Sequence, residues 1–220
     1  PTPDSRSPVV VSYGGGRNST ALLILCQKLG LKVDLIAFSD TGGEKPETYQ
    51  YINETMNPWL VSVGMPSITI IKNKPTPKNN GRRTYKSAKS LFDFFIKTNN
   101  IEFLKWLLWW CGVTGSSYET LEESCLVTQS LPSVAYGQKI CSVRWKIEPF
   151  EEFIKTWQPA IDAVNLGISI RKFTGIHAGE QNRLLEKNGT MRSLKQGNFI
   201  NEFPLITYGI DNDACIAIIE

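Results

Sequence analysis

Residues 9–26 read VVVSYGGGRNSTALLILC. An apolar β-branched run passes through three glycines and an arginine straight into an apolar run with helical character. Glycine costs conformational entropy, so three in succession mark a place where the chain needs bare backbone. A strand that ends in such a turn and opens a helix builds an anion site. The first helical N–H groups have no intrahelical partner, the dipole presents its positive end, and the missing side chains let an oxyanion approach the backbone. Gly14, Gly15 and Gly16 are therefore expected to cradle a phosphate or pyrophosphate. Ser12 and Ser19 would add hydroxyls, Arg17 a guanidinium, and Tyr13 and Asn18 complete the loop. Ser19 or Thr20 is expected to cap the helix and Gly30 to stop it. The loop is neither G-x-x-x-x-G-K-[ST] nor G-x-G-x-x-G, because no lysine follows at the right offset and Asn18 and Ser19 occupy the later positions.

Working outward, residues 33–40 (VDLIAFSD) and 67–72 (SITIIK) read as further buried strands. Between them Pro46 is placed to start a helix running to about Val63. Residues 148–157 look like an amphipathic helix with an acidic first turn, and 168–180 like a fourth strand entering a polar turn. The C-terminal stretch from residue 199 reads as a short extended piece and a helix. Near-continuous apolar strands alternating with helices imply an α/β, doubly wound, mainly parallel sheet covered on both faces. Residues 1–220 are read as a single domain carrying a basic loop and a helical, aromatic insertion at about 72–135.

The 220 residues suit one such domain. The hydrophobic share of 41% and charged share of 20% are those of an ordinary globular chain, and a net charge of +3 does not by itself point to nucleic acid. The five cysteines, 26, 111, 125, 141 and 215, include no C-x-x-C pair. That argues against a disulfide framework and for a reducing compartment. No export-type leader opens the sequence and no apolar run reaches the length of a membrane span, so a cytoplasmic location without membrane contact is expected.

Four segments together resemble one family. SYGGGRNST (12–20) is similar to the S-G-G-x-[DN]-S signature of PP-loop, N-type ATP pyrophosphatases, with Gly14 where many members have serine and Asn18 where many have an acid. DTGGEKPET (40–48) resembles the D-T-G-x-x-x-P-E-T turn of the phosphoadenosine phosphosulfate (PAPS) reductase-like branch. CSVRWKIEP (141–149) resembles its C-[ST]-x-x-x-K-x-x-P segment, and GIHAGEQNR (175–183) its G-[IV]-x-x-x-E-x-x-R segment. The resemblance implies a sheet of the adenine nucleotide alpha hydrolase type, with strand order 3-2-1-4-5, and an adenine nucleotide, ATP or PAPS, as ligand. Gly14, Gly15, Gly16, Asn18 and Ser19 would hold the pyrophosphate. Ser39, Asp40, Thr41 and Gly42 would lie on the adenosine side, with Glu44 and Glu47 at the following helix start. Arg144, Lys146, Gly175, Glu180 and Arg183 would meet the remaining anionic groups. Arg17, Asp40, Cys141 and His177 are the expected catalytic residues. His177, the one histidine of the chain, is read either as an acid/base group or as a polar strand end.

The expected reaction cleaves ATP to AMP and pyrophosphate and adenylates an acceptor, with Mg²⁺ bridging the phosphates and Asp40 as its candidate ligand. The alternatives are thiol-dependent reduction of a sulfonucleotide and nucleotide binding without turnover. A sulfur donor and a second copy of the chain, in a homodimer, are the expected partners. No dedicated metal site is expected, although Cys111, Cys125, Cys141 and Cys215 converging on an iron–sulfur cluster stays open. The stretch 72–89 carries Lys72, Lys74, Lys78, Arg82, Arg83, Lys86 and Lys89 and no acid. It reads as a lid over phosphates, a solvated loop, or a nucleic-acid surface. The aromatic patch 94–110 reads as core, dimer surface or docking site.

Overall fold

The computed structural model describes residues 4–73, 120–122, 125, 142–186 and 188–220. Elements are numbered in chain order over those residues. Strand β1 (Val9–Tyr13) enters helix α1 (Arg17–Lys28) through the triple glycine. Strand β2 (Leu35–Asp40) follows, then α2 (Pro46–Tyr51), a π-helical turn (Ile52–Met56), α3 (Asn57–Ser62) and β3 (Ile68–Lys72). Further along the chain come a second π-helical turn (Val143–Ile147), α4 (Glu148–Ile154), α5 (Gln158–Asn165) and β4 (Ile170–Thr174). A 3₁₀ segment (Ala178–Leu184), β5 (Lys195–Gln196), β6 (Phe199–Glu202), α6 (Pro204–Thr207) and α7 (Asn212–Ile219) close the chain.

The six strands form one sheet in the order β3-β2-β1-β4-β6-β5, parallel throughout except for the β5–β6 pair. The expected doubly wound class holds and the order differs at one edge. The extended piece at residues 199–202 takes the position next to β4. Gly197, at φ +58°, lets residues 195–196 fold back on it as an extra antiparallel strand.

Val9, Val10 and Val11 are all fully buried because β1 is central and covered on both sides. Val9, Val11 and Tyr13 face a core with Leu22, Cys26, Phe38, Ile52, Leu60, Leu205 and Cys215. Val10 faces the other core, with Ala37, Phe150, Ile154, Ala160 and Ile170. Each fully buried large apolar side chain contributes roughly 1.5–3 kcal/mol. The chain leaves β1 toward β2 and β3, then returns to the other flank of β1 with β4. This reversal opens a crevice at the carboxyl ends of β1 and β4, where open α/β sheets bind ligands.

The single helix expected from Pro46 to about Val63 is interrupted by a π turn. That turn ends at Met56, two residues before Pro58, and the second one ends at Ile147, two residues before Pro149. Proline supplies no N–H to the carbonyl four residues back, and its ring crowds that carbonyl. A widened turn immediately upstream accommodates both effects.

Candidate functional site

Gly16 is the N-cap of α1, in extended conformation (φ −102°, ψ 171°), and no side chain caps the helix. This corrects the expected cap. Ser19 and Thr20 lie inside the first turn, and both hydroxyls donate back to the Gly16 carbonyl, at 2.8 and 3.2 Å. That back-bonding leaves the amides untouched. Among the described residues, no group accepts from the N–H of Gly15, Gly16, Arg17, Asn18 or Ser19, and the first helical bond is Thr20 N–H to Gly16 O.

The three glycines serve different ends. Gly15 has φ +72°, and a Cβ there would sit 3.0 Å from Thr48 Cγ2 and 3.4 Å from Phe38 Cε2. Its glycine is demanded by the backbone and by packing. Gly16 has an ordinary φ, and a Cβ there would meet nothing within 4 Å. Its glycine is required neither by the backbone angles nor by packing, and suits the N-cap position. The Tyr13 side chain is buried, its hydroxyl 3.2 Å from Thr20 Oγ1, so it offers a ligand only its backbone. Burial also raises its pKa. The exposed Arg17 guanidinium donates to Asn212 Oδ1 at 3.1 Å, at the start of α7.

On the other side of the crevice, the turn after β4 packs directly on this loop. A Cβ on Gly175 would fall 2.9 Å from the carbonyl carbon and oxygen of Asn18 and from the amide nitrogen of Ser19. Glycine here permits the close approach of two backbones. Beyond it, Glu180 collects three groups. Asn18 Nδ2 donates to Oε2 at 3.4 Å, and one Arg183 nitrogen donates to both carboxylate oxygens at 3.1 Å. His177 Nε2 stands 3.7 Å away. His177 caps the 3₁₀ segment, its Nδ1 accepting from Gly179 N–H at 3.1 Å. That bond requires an unprotonated Nδ1. Asn18, Gly175, His177, Glu180 and Arg183 are thus brought together from two distant stretches of sequence.

The end of β2 forms a second, tighter cluster. Asp40 is 5% exposed, and its Oδ1 accepts from both Gly42 N–H (2.8 Å) and Tyr49 O–H (2.6 Å). Burial first, and this bond to Asp40 second, push the Tyr49 pKa up to about 12. Gly42 has φ +74°, and a Cβ there would overlap the Thr120 side chain; Leu121 N–H donates to Thr41 O at 2.8 Å. The π turn at residues 143–147 docks on the same end. Ser39 Oγ donates to the Lys146 carbonyl (2.9 Å), and Lys146 Nζ pairs with Glu44 Oε1 (3.2 Å), which also accepts from Thr41 Oγ1 (3.3 Å). Arg144 stands one residue before the buried Trp145 on this turn. Tyr49, Leu121 and Asn212 are absent from the sequence expectations. Only Tyr49 left a signal there: Pro46 at the helix start puts it one turn in, facing back over β2.

Cys26 and Cys215 are free thiols buried in one core. Burial pushes Cys26 up to about 12 and raises Cys215 as well, which makes both poor nucleophiles. Cys125 is free and partly exposed. Cys111, Cys141, the basic residues from Lys74 to Lys89 and the aromatic patch lie outside the described residues. Among the described residues no three His, Cys, Asp or Glu side chains are grouped to hold a metal ion, and no helix is long and apolar enough to cross a membrane.

A mainly parallel sheet with its strand order reversing at β1, and amides at the α1 entry that donate to no described residue, is the arrangement open α/β sheets use to bind ligands. The sequence model of the phosphoadenosine phosphosulfate reductase domain matches residues 8–208. The chain belongs to that family, as the four motifs implied. No curated protein and no solved structure matches significantly.

Proposed function

We propose that the protein is an adenine-nucleotide enzyme that cleaves ATP between its α- and β-phosphates. The observation that carries this reading is the run of five amides, Gly15 to Ser19, donating to no described residue beside a glycine whose Cβ would enter open space. Gly14, Gly15, Gly16, Asn18 and Ser19 hold the β- and γ-phosphates. Ser12 and the β2 end, Ser39 to Gly42, face the rest of the nucleotide. Lys146, Arg144 and Arg183 supply positive charge. An acceptor oxygen attacks the α-phosphorus. The bond from that phosphorus to the α–β bridging oxygen breaks, and pyrophosphate leaves with the electron pair. Fixed amide dipoles need no reorganisation to meet that developing charge, which is where such donors act most strongly. Mg²⁺ would neutralise the phosphates. With no three-carboxylate group among the described residues, it fits as an ion carried by the phosphates and water.

A second reading is reduction of a sulfonucleotide, favoured by the family match. A thiolate attacks the sulfur, the S–O bond to the nucleotide breaks, and a second thiol then displaces sulfite as the disulfide forms. Cys26 and Cys215 are too deeply buried for the first step, and of Cys111, Cys125 and Cys141 the motif resemblance favours Cys141. One experiment separates the two. The protein is incubated with Mg²⁺ and ATP, and separately with PAPS and a dithiol. Pyrophosphate and AMP from the first support cleavage; sulfite from the second, abolished by Cys141→Ser, supports reduction. Tight binding with neither product reduces the protein to a nucleotide-binding module.

A further inference from the structure

Asp40 ends β2, two residues beyond the Phe38–Tyr13 pair, so it stands level with the glycine loop on the neighbouring strand. Asp40 is 5% exposed as a residue, and the bonds its carboxylate makes are one-sided. Gly42 N–H and Tyr49 O–H both fall on Oδ1, at 2.8 and 2.6 Å, while Oδ2 accepts from no described residue. Among the described residues no buried side-chain oxygen lacks a partner, so an Oδ2 without one is an acceptor still open to a donor from outside the protein. The bond to Gly42 belongs to the turn itself, since an aspartate reaching the amide two residues on is an ordinary Asx turn. The bond to Tyr49 has no such local origin. It crosses nine positions and ties the first turns of α2 to the end of β2. A phenol at 2.6 Å on one oxygen fixes the rotation of the carboxyl plane, which the Asx bond alone leaves free to swing.

We propose that Tyr49 is a positioning residue: by holding Asp40 Oδ1 it presents Oδ2 as a fixed acceptor for an O–H or N–H donor on the nucleoside half of the ligand. This rests on the adenine-nucleotide reading above and adds how the nucleoside is distinguished. The loop amides recognise phosphate, which every nucleotide carries, so selectivity has to come from an acceptor of this kind. A hydrogen bond to a charged acceptor discriminates strongly, because an analogue without the donor displaces water from Oδ2 and leaves it unpaired. Two donors of adenosine have this chemistry, the ribose hydroxyls and the exocyclic amine.

The test is equilibrium binding to the full chain, in EDTA, of ATP, 2′-deoxyATP, 3′-deoxyATP, inosine triphosphate and inorganic pyrophosphate. Wild type is expected to bind at least one of the three analogues about tenfold more weakly than ATP, and that analogue identifies the donor. Tyr49→Phe keeps the ring and removes the hydroxyl. It is expected to weaken ATP about three- to tenfold and to shrink that discrimination, with pyrophosphate affinity unchanged. Asp40→Asn is the second variant. Its carbonyl can still accept from Gly42 and Tyr49, which places an NH₂ donor where Oδ2 stood, so ATP is expected to weaken more than in Tyr49→Phe and pyrophosphate to hold. A merely structural role would move all ligands together. The proposal is overturned if both variants keep the wild-type order of preference, if pyrophosphate weakens as much as ATP, or if the variants differ from wild type only when Mg²⁺ is restored, which would make Oδ2 a metal ligand. Failure of pyrophosphate and ATP to bind wild type at all would instead refute the phosphate cradle.

Discussion

Two glycine-bearing turns leave adjacent strands of one sheet, and they are finished in opposite ways. The turn after β2 is closed by the protein. Asp40 takes the Gly42 amide, Leu121 takes the Thr41 carbonyl, and Thr120 fills the space beside Gly42. The turn after β1 is left open, with five successive amides free of described partners and vacant space beside Gly16. Glycine content alone does not separate the two. Gly42 and Gly15 both need glycine for a left-handed backbone, whereas Gly16 does not. The two turns differ in which of their amides and how much of their space the protein fills, not in how many glycines they carry.

This contrast can be broken by substitution. The largest effect is expected where glycine serves the fold. Gly175→Ala sets a methyl 2.9 Å from three backbone atoms of the α1 entry, which cannot yield as a side chain would. A loss of about 1–3 kcal/mol in denaturant unfolding is expected. Gly15→Val forces a β-branched residue to φ +72° against Thr48 and Phe38 and is expected to cost about 1–3 kcal/mol from backbone strain. A midpoint unchanged in both variants would refute the packing account.

A smaller effect is expected at the closed turn. Tyr49→Phe removes one hydrogen bond to a buried carboxylate, about 1–2 kcal/mol at neutral pH. The same bond has a pH signature. The Tyr49 pKa lies above its ordinary value of 10, at about 12, so the native state holds the proton more tightly than the unfolded chain. Its contribution is full below pH 10 and falls away as pH rises from 10 toward 12. Tyr49→Phe should flatten that part of the stability profile; an identical alkaline slope in both proteins would show that the phenol is not the group responsible. The smallest effect is expected at Lys146→Met, which deletes a half-exposed ion pair with Glu44 and should cost under about 1 kcal/mol. The same change should weaken ATP binding if Lys146 meets the nucleotide, and leave it intact if the lysine only staples the π turn to β2.

Much of this was legible in the sequence because it is local. Period and composition mark β1 to β4, and three glycines between a strand and a helix mark the cradle. The juxtaposition of Asn18 with Glu180, Arg183 and His177 came from motif resemblance, since no local pattern links residues 162 positions apart. The helix cap was misread because serine and threonine suit both an N-cap and a back-bonded first turn, and only the backbone angles at Gly16 separate these. The π turns escaped because their cause, a proline two residues downstream, reads equally well as a helix start. The β5 strand escaped because two exposed residues carry no periodicity at all.

The central claim is that the α1 entry amides grip an oxyanion, and Gly16→Ala tests it most directly. The backbone at 16 is open to alanine and the added methyl meets no protein atom, so stability should fall by no more than about 1 kcal/mol, the preference for glycine over alanine at an N-cap. The account predicts that pyrophosphate and ATP affinity, measured calorimetrically, fall at least about tenfold while the fold holds. Unchanged affinity in a stably folded Gly16→Ala protein would contradict it.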